Sequence, residues 1–339
     1  MPPDSSIIAH IRALQGPGNG NAELIKQVIE SWAARRDFET GHQLLRSLVL
    51  KYADAEKNLY RLNRELLDRQ RRLDEDLSAA AEIQSSLLPQ DTSAFEQLEI
   101  AWAFEPSTHI AGDIFNVIRL DEGCFAAYAL DVSGHGVPAA MVAVSVCQNL
   151  QPGSVLIRTP DRMSASGHSP RSPAEVLRAL DLEYPFERFS NFFNMVYLLI
   201  ETGRGTLTCS NAGHPQPVLL RNGGAMQRLK RGGPVIGLRS IRPKADREIV
   251  FGEEKIRFTP GDRVLLYTDG LTEYHNAAGE LYGSERFRAR LEALRERPLA
   301  DMVEAVRLSL REFGGGTTPA DDMTLLGIEL KEHGPAGRG

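Results

Sequence analysis

Apolar residues in the first quarter of the chain recur at intervals of three and four. Leu24, Ile25, Val28, Ile29 and Trp32, then Leu44, Leu45, Leu48 and Val49, predict helix over 22–51, with Asp37 and Thr40-Gly41 marking a turn between two helices. From residue 52 the spacing tightens into heptads, and Tyr52, Ala55, Leu59, Leu62, Leu66, Arg69, Leu73, Asp76, Ala80, Ile83 and Leu87 share one seam. So narrow a stripe favours a coiled coil, and a parallel homodimer is expected; one amphipathic helix packed on its own domain is the plainer alternative. Arg69 and Asp76 stand where leucine belongs, which lowers stability and can fix register. Pro89 ends the helix, because its ring cannot follow a continuing turn.

Beyond Pro89 the period becomes strand-like. Segments 98–105, 113–120, 124–132, 193–200, 205–210, 217–220 and 263–268 are short, rich in β-branched or aromatic residues, and bounded by Gly, Pro, Asn or Asp. Two of them form a hairpin across Asp121-Glu122-Gly123. Helical patterns intervene at 137–150, 173–182, 284–294 and 299–313. Strands grouped with helices between them, without regular alternation, predict an α+β layered fold with antiparallel sheets. Residues 151–172, rich in Ser, Pro, Gly and Arg, predict a long flexible loop, and 332–339 a disordered tail.

Composition narrows the function classes. The 339 residues are enough for about two domains, and 42% hydrophobic with 25% charged residues is ordinary for a soluble globular protein. A net charge of −6 provides no field to gather a polyanion, so nucleic acid is not an expected partner. No apolar run has the roughly 18 residues of a membrane span and no signal pattern opens the chain, so the expected location is cytoplasmic, away from membranes. Cys124, Cys147 and Cys209 lie isolated in apolar stretches and read as reduced core thiols.

Four aspartates stand where a strand meets a turn: Asp113 in Ala111-Gly112-Asp113, Asp131 in Asp131-Val132-Ser133-Gly134-His135-Gly136, Asp269 in Tyr267-Thr268-Asp269-Gly270, and Asp321 in Ala320-Asp321-Asp322-Met323-Thr324. Each alone is an ordinary turn residue. Together they are hard oxygen donors, suited to Mg²⁺ or Mn²⁺ and unlike the His and Cys of a zinc site. Carboxylates gathered in one cleft repel each other unless a cation neutralises them. No covalent nucleophile competes: none of the cysteines sits in a glycine-rich phosphate cradle, and Ser133 lacks a base partner.

These segments, with Ala81-Glu82-Ile83-Gln84-Ser85-Ser86-Leu87-Leu88-Pro89 before them and Asn211-Ala212-Gly213-His214-Pro215 between, occur in the order that resembles the bacterial SpoIIE/RsbU-type branch of the PPM (type 2C) serine/threonine phosphatases. The resemblance covers 81–330. It implies a PPM-type β-sandwich flanked by helices over 90–331, preceded by an N-terminal helical regulatory region (1–51) and a heptad linker helix (52–89). It also implies two Mn²⁺ or Mg²⁺ ions. Asp131 would bridge them, the Val132 carbonyl would assist, Asp269 and Asp321 would complete the ligand shell, and Asp113 would bind directly or through water. Asp131, Asp269 and Asp321 thereby carry the catalytic assignment. The implied activity is hydrolysis of phosphoserine or phosphothreonine on a phosphorylated anti-sigma-factor antagonist (STAS-type) protein in stress or developmental signalling.

His135 and His214 are candidates to protonate the departing serine oxygen, although a turn-stabilising role is the commoner use of either. Gly134, Gly136 and Gly270 permit tight backbone beside the ions. Asn116 stands where the family commonly has a second acid, which weakens a contact behind the ligands and encourages one alternative, a catalytically weak or dead phosphoprotein-binding adaptor; a metal-dependent phosphohydrolase of small molecules is a second, independent alternative. The heptad helix leads directly into the catalytic strands, so regulation through the N-terminal helices, by an upstream activator protein, is expected.

Overall fold

The computed structural model describes residues 38–90, 92, 95–162, 167–239 and 249–332, with backbone alone at 38–42, 44 and 45. The chain divides into two compact units, Met1–Leu73 and Asp74–Gly339.

Helix α1 (Phe38–Ser86) supplies the described part of the first unit and continues into the second. Thr40 and Gly41 lie inside it, so the turn expected there is absent. One glycine costs a helix only about 1 kcal/mol, less than terminating and renucleating it. The remainder of the expected first helix, and Asp37, lie outside the described residues. Along the seam Leu59, Leu62, Leu66 and Leu73 are each more than half exposed. The helix stops at Ser86, three residues before Pro89, as the proline's steric demand on preceding turns requires.

The second unit is a four-layer α+β sandwich of two five-stranded antiparallel sheets. The first contains β1 (Leu98–Glu105), β8 (Val218–Leu220), β9 (Met226–Arg228), β11 (Arg263–Tyr267) and β12 (Met323–Leu330), in the order β1-β12-β11-β8-β9. The second contains β2 (Ile114–Asp121), β3 (Cys124–Val132), β6 (Phe193–Glu201), β7 (Thr206–Ala212) and β10 (Glu253–Arg257), in the order β10-β7-β6-β3-β2. Strand alternation sends Trp102, Leu326 and Leu266 of the first sheet and Phe115, Ala129 and Val196 of the second into one shared core, where the Trp102 and Phe115 rings lie 6.1 Å apart. Helices α2 (Val137–Asn149) and α3 (Pro173–Glu183), with the single turn α4 (Phe186–Phe189), cover the second sheet. After the short α5 (Asp269–Glu273), helices α6 (Gly283–Leu294) and α7 (Leu299–Gly314) cover the first.

Strand β12, outside the expected strand segments, is buried on both faces, with Leu325 against the helices and Leu326 in the shared core. The stretch expected to be a flexible loop contains a hairpin of β4 (Arg158–Pro160) and β5 (His168–Pro170). Arg158, nearly buried, anchors it by donating to the Leu120 carbonyl and to Asp121. Cys147 and Cys209 are buried free thiols, whereas Cys124 is half-buried.

Candidate functional site

Antiparallel pairing brings the start of β2, the end of β3 and the start of β6 to one edge of the second sheet, and the end of β11 and the start of β12 to the facing edge of the first. The candidate aspartates sit at those strand ends. Asp113 precedes β2 and is buried, its Oδ2 accepting from Thr268 Oγ1 at 2.8 Å and from Thr324 Oγ1 at 2.6 Å. A carboxylate from one sheet is thus held by two hydroxyls from the other. Asp131 ends β3, and its Oδ2 accepts from Asn194 Nδ2 at 2.8 Å, across the pair Asp131 and Asn194 in the strand register. Asp269 opens α5, and Asp321 stands on the exposed rim before β12. The Val132 carbonyl lies against the Asp113 loop, 3.0 Å from where a Cβ on Gly112 would stand.

The charges of these groups reach one another. Burial raises the Asp113 carboxyl well above its ordinary value, and the Asp131 charge adds to the shift. Burial pushes Asp131 up to about 6, opposed by the Asn194 bond and reinforced by Asp269, Asp321 and Asp322. Asp321 is raised by partial burial and by Asp322 and Asp269, against its bond from the Asp322 N–H and the charge of His135. Among the described residues no three His, Cys, Asp or Glu side chains stand close enough together to hold a metal ion. The donor set still fits hard divalent cations: every candidate is an oxygen, two carboxyls are held in an environment that penalises their charge, and the buried Asn194 Oδ1 has no hydrogen-bond partner.

Asp322, absent from the candidates read in the sequence, organises the cleft. Its Oδ1 accepts from Ser107 N–H at 2.7 Å and Ser107 Oγ at 2.9 Å, and its Oδ2 from Gly112 N–H at 2.7 Å and Asp113 N–H at 3.4 Å. Gly270 must be glycine for a related reason, since a Cβ there would stand 2.1 Å from the Asp322 carbonyl. The Asp321-Asp322 doublet was a visible signal; which of the two turns inward depends on where Gly112 lies.

Gln84, buried in the last turn of α1, makes a second support. Its Nε2 donates to the Ala111 carbonyl at 2.7 Å and its Oε1 accepts from the Ala111 N–H at 3.0 Å, two residues before Asp113. Asn116 also serves this junction. Its Nδ2 donates to the Leu87 carbonyl at 3.3 Å, tying the second sheet to the end of the helix.

The remaining candidates separate by environment. Burial lowers His214 to about 4, and its backbone and ring are engaged by Asn211 Oδ1 at 2.8 Å and the Pro215 carbonyl at 3.1 Å, so it is a neutral turn-forming residue. His135 is exposed and close enough for its charge to favour ionised Asp321. Ser133 Oγ accepts from the Phe192 N–H at 3.1 Å. Burial raises all three thiols, Cys124 to about 11, which disfavours thiolate chemistry.

Two solved structures share the architecture. The SiaA-PP2C domain of Pseudomonas aeruginosa superposes with a TM-score of 0.61 at 22% identity, over 77% of this chain and 98% of that one. The PP2C phosphatase domain with a fragment of the regulatory domain of SpoIIE from Bacillus subtilis gives 0.53 at 12% identity, over 70% of this chain and 64% of that one. The fold is that of PP2C domains. The model of the family described as Stage II sporulation protein E (SpoIIE) matches residues 121–331, well over half the chain, and the chain belongs to that family. Among curated relatives, Protein IcfG of Synechocystis sp. is 25% identical over 269 residues, 75% of this chain and 41% of its own length. Phosphoserine phosphatase RsbP of Bacillus subtilis is 25% identical over 261 residues, 76% of this chain and 58% of its own. The chain therefore spans about half the length of these relatives.

Proposed function

We propose that this protein is a metal-dependent serine/threonine phosphoprotein phosphatase. The observation that carries the reading is that Thr268, beside Asp269, and Thr324, three residues after Asp321, both bond the Asp113 carboxylate, bringing the strand ends that bear these aspartates together, with the charges of Asp269 and Asp321 reaching Asp131. Asp131, Asp269 and Asp321, with Asp113 and the Val132 carbonyl, would hold two Mn²⁺ or Mg²⁺ ions. Such ions, when bound, acidify water and neutralise phosphoryl oxygens. Thr268 and Thr324 orient Asp113, Asn194 orients Asp131, and Asp322 holds the loop carrying Asp113. The exposure of His135 and the reach of its charge to Asp321 support it as the donor of a proton to the departing serine oxygen.

The name phosphoserine phosphatase borne by RsbP, and by RsbU of Bacillus subtilis at 25% identity over 215 residues, supports phosphoserine as the group hydrolysed, and the resemblance to the SpoIIE/RsbU-type branch points to a phosphorylated anti-sigma-factor antagonist of STAS type as its carrier. The open seam of α1 supports a parallel homodimer, and the Gln84 bonds to Ala111 support a route by which an activator at the N-terminal helices reaches the Asp113 loop. No described helix is long and apolar enough to cross a membrane, and a cytoplasmic site of action rests on the substrate class. The test is hydrolysis of p-nitrophenyl phosphate and of a phosphoserine protein with Mn²⁺, beside Asp131→Asn and Asp269→Asn. Activity lost in both variants and with chelator is the expected result; a folded wild-type protein inert on both substrates with Mn²⁺ and activator overturns the reading.

A further inference from the structure

Residues 202–239 contain six Lys or Arg and no Asp or Glu, reversing the sign of a molecule whose net charge is −6. Four of those cations lie on one segment, 228–239, which crosses from the first sheet to the second. Arg228 closes β9 opposite Val218, itself opposite Leu265 of β11, and its charge opposes the burial that raises Tyr267, two residues before Asp269. From there the backbone is stitched to its neighbours. Leu229 N–H donates to the Pro217 carbonyl at 3.1 Å, Lys230 N–H to Glu254 Oε2 at 3.0 Å, and Gly233 N–H to the Asn211 carbonyl at 2.7 Å. Ile236 then exchanges both backbone bonds with Phe193, at 2.9 and 3.2 Å, and Phe193 adjoins Asn194, which bonds Asp131. A Cβ on Gly232 would stand 2.1 Å from the Asn211 carbonyl oxygen and one on Gly233 2.7 Å from the Phe251 ring, so this backbone is pressed flat against its neighbours. The charged side chains turn to solvent: Lys230, Arg231 and Arg239 are exposed, Arg228 is half-buried, and none of the four is ion-paired with a described residue.

We propose that Arg228, Lys230, Arg231 and Arg239 form a basic edge that docks acidic side chains of the protein substrate at a distance from its phosphoserine. The inference rests on the phosphoprotein reading above and deepens it by naming the surface chemistry of the partner. One end of the segment adjoins the strands that lead to Asp269, and the other adjoins the strand start that bonds Asp131, so a chain held there stays beside the candidate aspartates. The positive charge belongs to fixed side chains and does not depend on whether cations fill the aspartate site. The rest of the molecule is acidic in balance, so an acidic partner is steered to this edge. Single exposed ion pairs are weak, but four acting together are worth on the order of tenfold at low salt, where screening is slight.

The test uses two fluorescein-labelled phosphoserine peptides that carry either Glu or Gln at positions about five to nine residues to each side of the phosphoserine, a reach of about 15–30 Å in extended chain, with p-nitrophenyl phosphate as the free ester. In about 20 mM NaCl with Mn²⁺, the wild type is expected to favour the Glu peptide about tenfold in kcat/KM, mostly through KM, and Asp269→Asn to show the same ratio in Kd by fluorescence anisotropy; about 500 mM NaCl should bring both ratios near one. Lys230→Gln with Arg231→Gln is expected to cut the ratio about threefold or more and leave p-nitrophenyl phosphate hydrolysis unchanged. Arg119→Gln with Lys331→Gln, exposed cations outside the segment, removes the same charge and should keep the ratio. A wild-type ratio near one, a ratio that persists in the segment variant, or one lost equally in the control overturns the proposal. Phosphatidylglycerol vesicles that bind wild type and not the segment variant, with a peptide ratio near one, assign the edge to a lipid surface and overturn it too. Glu-peptide binding that the segment variant loses, in a protein that hydrolyses none of the three substrates, upholds the edge and refutes the phosphatase reading; activity on p-nitrophenyl phosphate with neither peptide bound or cleaved refutes the edge and leaves that activity standing.

Discussion

Replacing Gln84 by leucine removes two hydrogen bonds and little volume. Ala111 is wholly buried, and its N–H and carbonyl are both satisfied by the one amide, at 3.0 and 2.7 Å. Leucine offers neither donor nor acceptor, so two buried backbone groups lose their partners at about 1–3 kcal/mol each. Extra apolar burial of the leucine offsets part of this, leaving an expected loss of about 2–4 kcal/mol. Urea unfolding of the Asp74–Gly339 unit within the full chain should show the midpoint falling with an unchanged slope. The freed segment continues through Gly112, whose N–H meets Asp322 at 2.7 Å, into Asp113, so the Mn²⁺ concentration for half-maximal hydrolysis of p-nitrophenyl phosphate should rise as well. Gln84→Glu is the control: it still accepts from the Ala111 N–H but sets a carboxylate against the Ala111 carbonyl, and it should be no better than leucine. A leucine variant within 0.5 kcal/mol of wild type (roughly the scatter of neutral surface substitutions) and with unchanged metal response would refute the clamp.

Three further outcomes follow from the same geometry. Asp131 bound to no cation has its carboxyl raised from 3.8 to about 6, so the folded state holds more protons than the unfolded one between those values, and stability falls as pH rises through that window. The gap amounts to about 3 kcal/mol, so in chelator the protein should melt higher near pH 5 than pH 7 in this contribution, Asp131→Asn should stabilise it at pH 7 while abolishing activity, and Mn²⁺ should stabilise wild type most at pH 7; equal metal-induced shifts at both pH values would contradict it. His135→Gln should lower kcat by on the order of a hundredfold and remove the alkaline limb of the pH–rate profile, whereas His214→Gln should act on the melting temperature, because it disturbs a buried turn. Leu66→Pro interrupts α1 at an exposed seam position at a local cost of about 3 kcal/mol, and light scattering should report a monomer with altered activation; retained dimer and regulation would remove the heptad from both roles.

Much of the architecture is written locally. β1, β3 and the cores of β2, β6, β7 and β11 fall where runs of β-branched and aromatic residues bounded by turn residues place them, even though β3, β6, β7 and β11 are buried on both faces, and α2, α3, α6 and α7 fall where apolar residues recur at helical spacing. Two misses have physical causes. β4 and β5 are three-residue strands sustained by Arg158 reaching across to Asp121; and helix passes through Thr40 and Gly41 because its local cost is small beside that of renucleation.

The sequence by itself determined the period of each element, the family resemblance and the aspartates at strand ends, since chain-local pattern and motif order are properties of neighbouring residues. Only the tertiary structure decided how those aspartates differ: Asp113 buried beneath two threonines, Asp321 on the rim, and Asp322 turned inward to hold the loop between them. It alone bonded Asn116 to the helix end and gave Gln84 its grip on Ala111. These distinctions arise between residues from 27 to 211 positions apart, where burial and charge depend on how two sheets meet and leave no trace in local spacing.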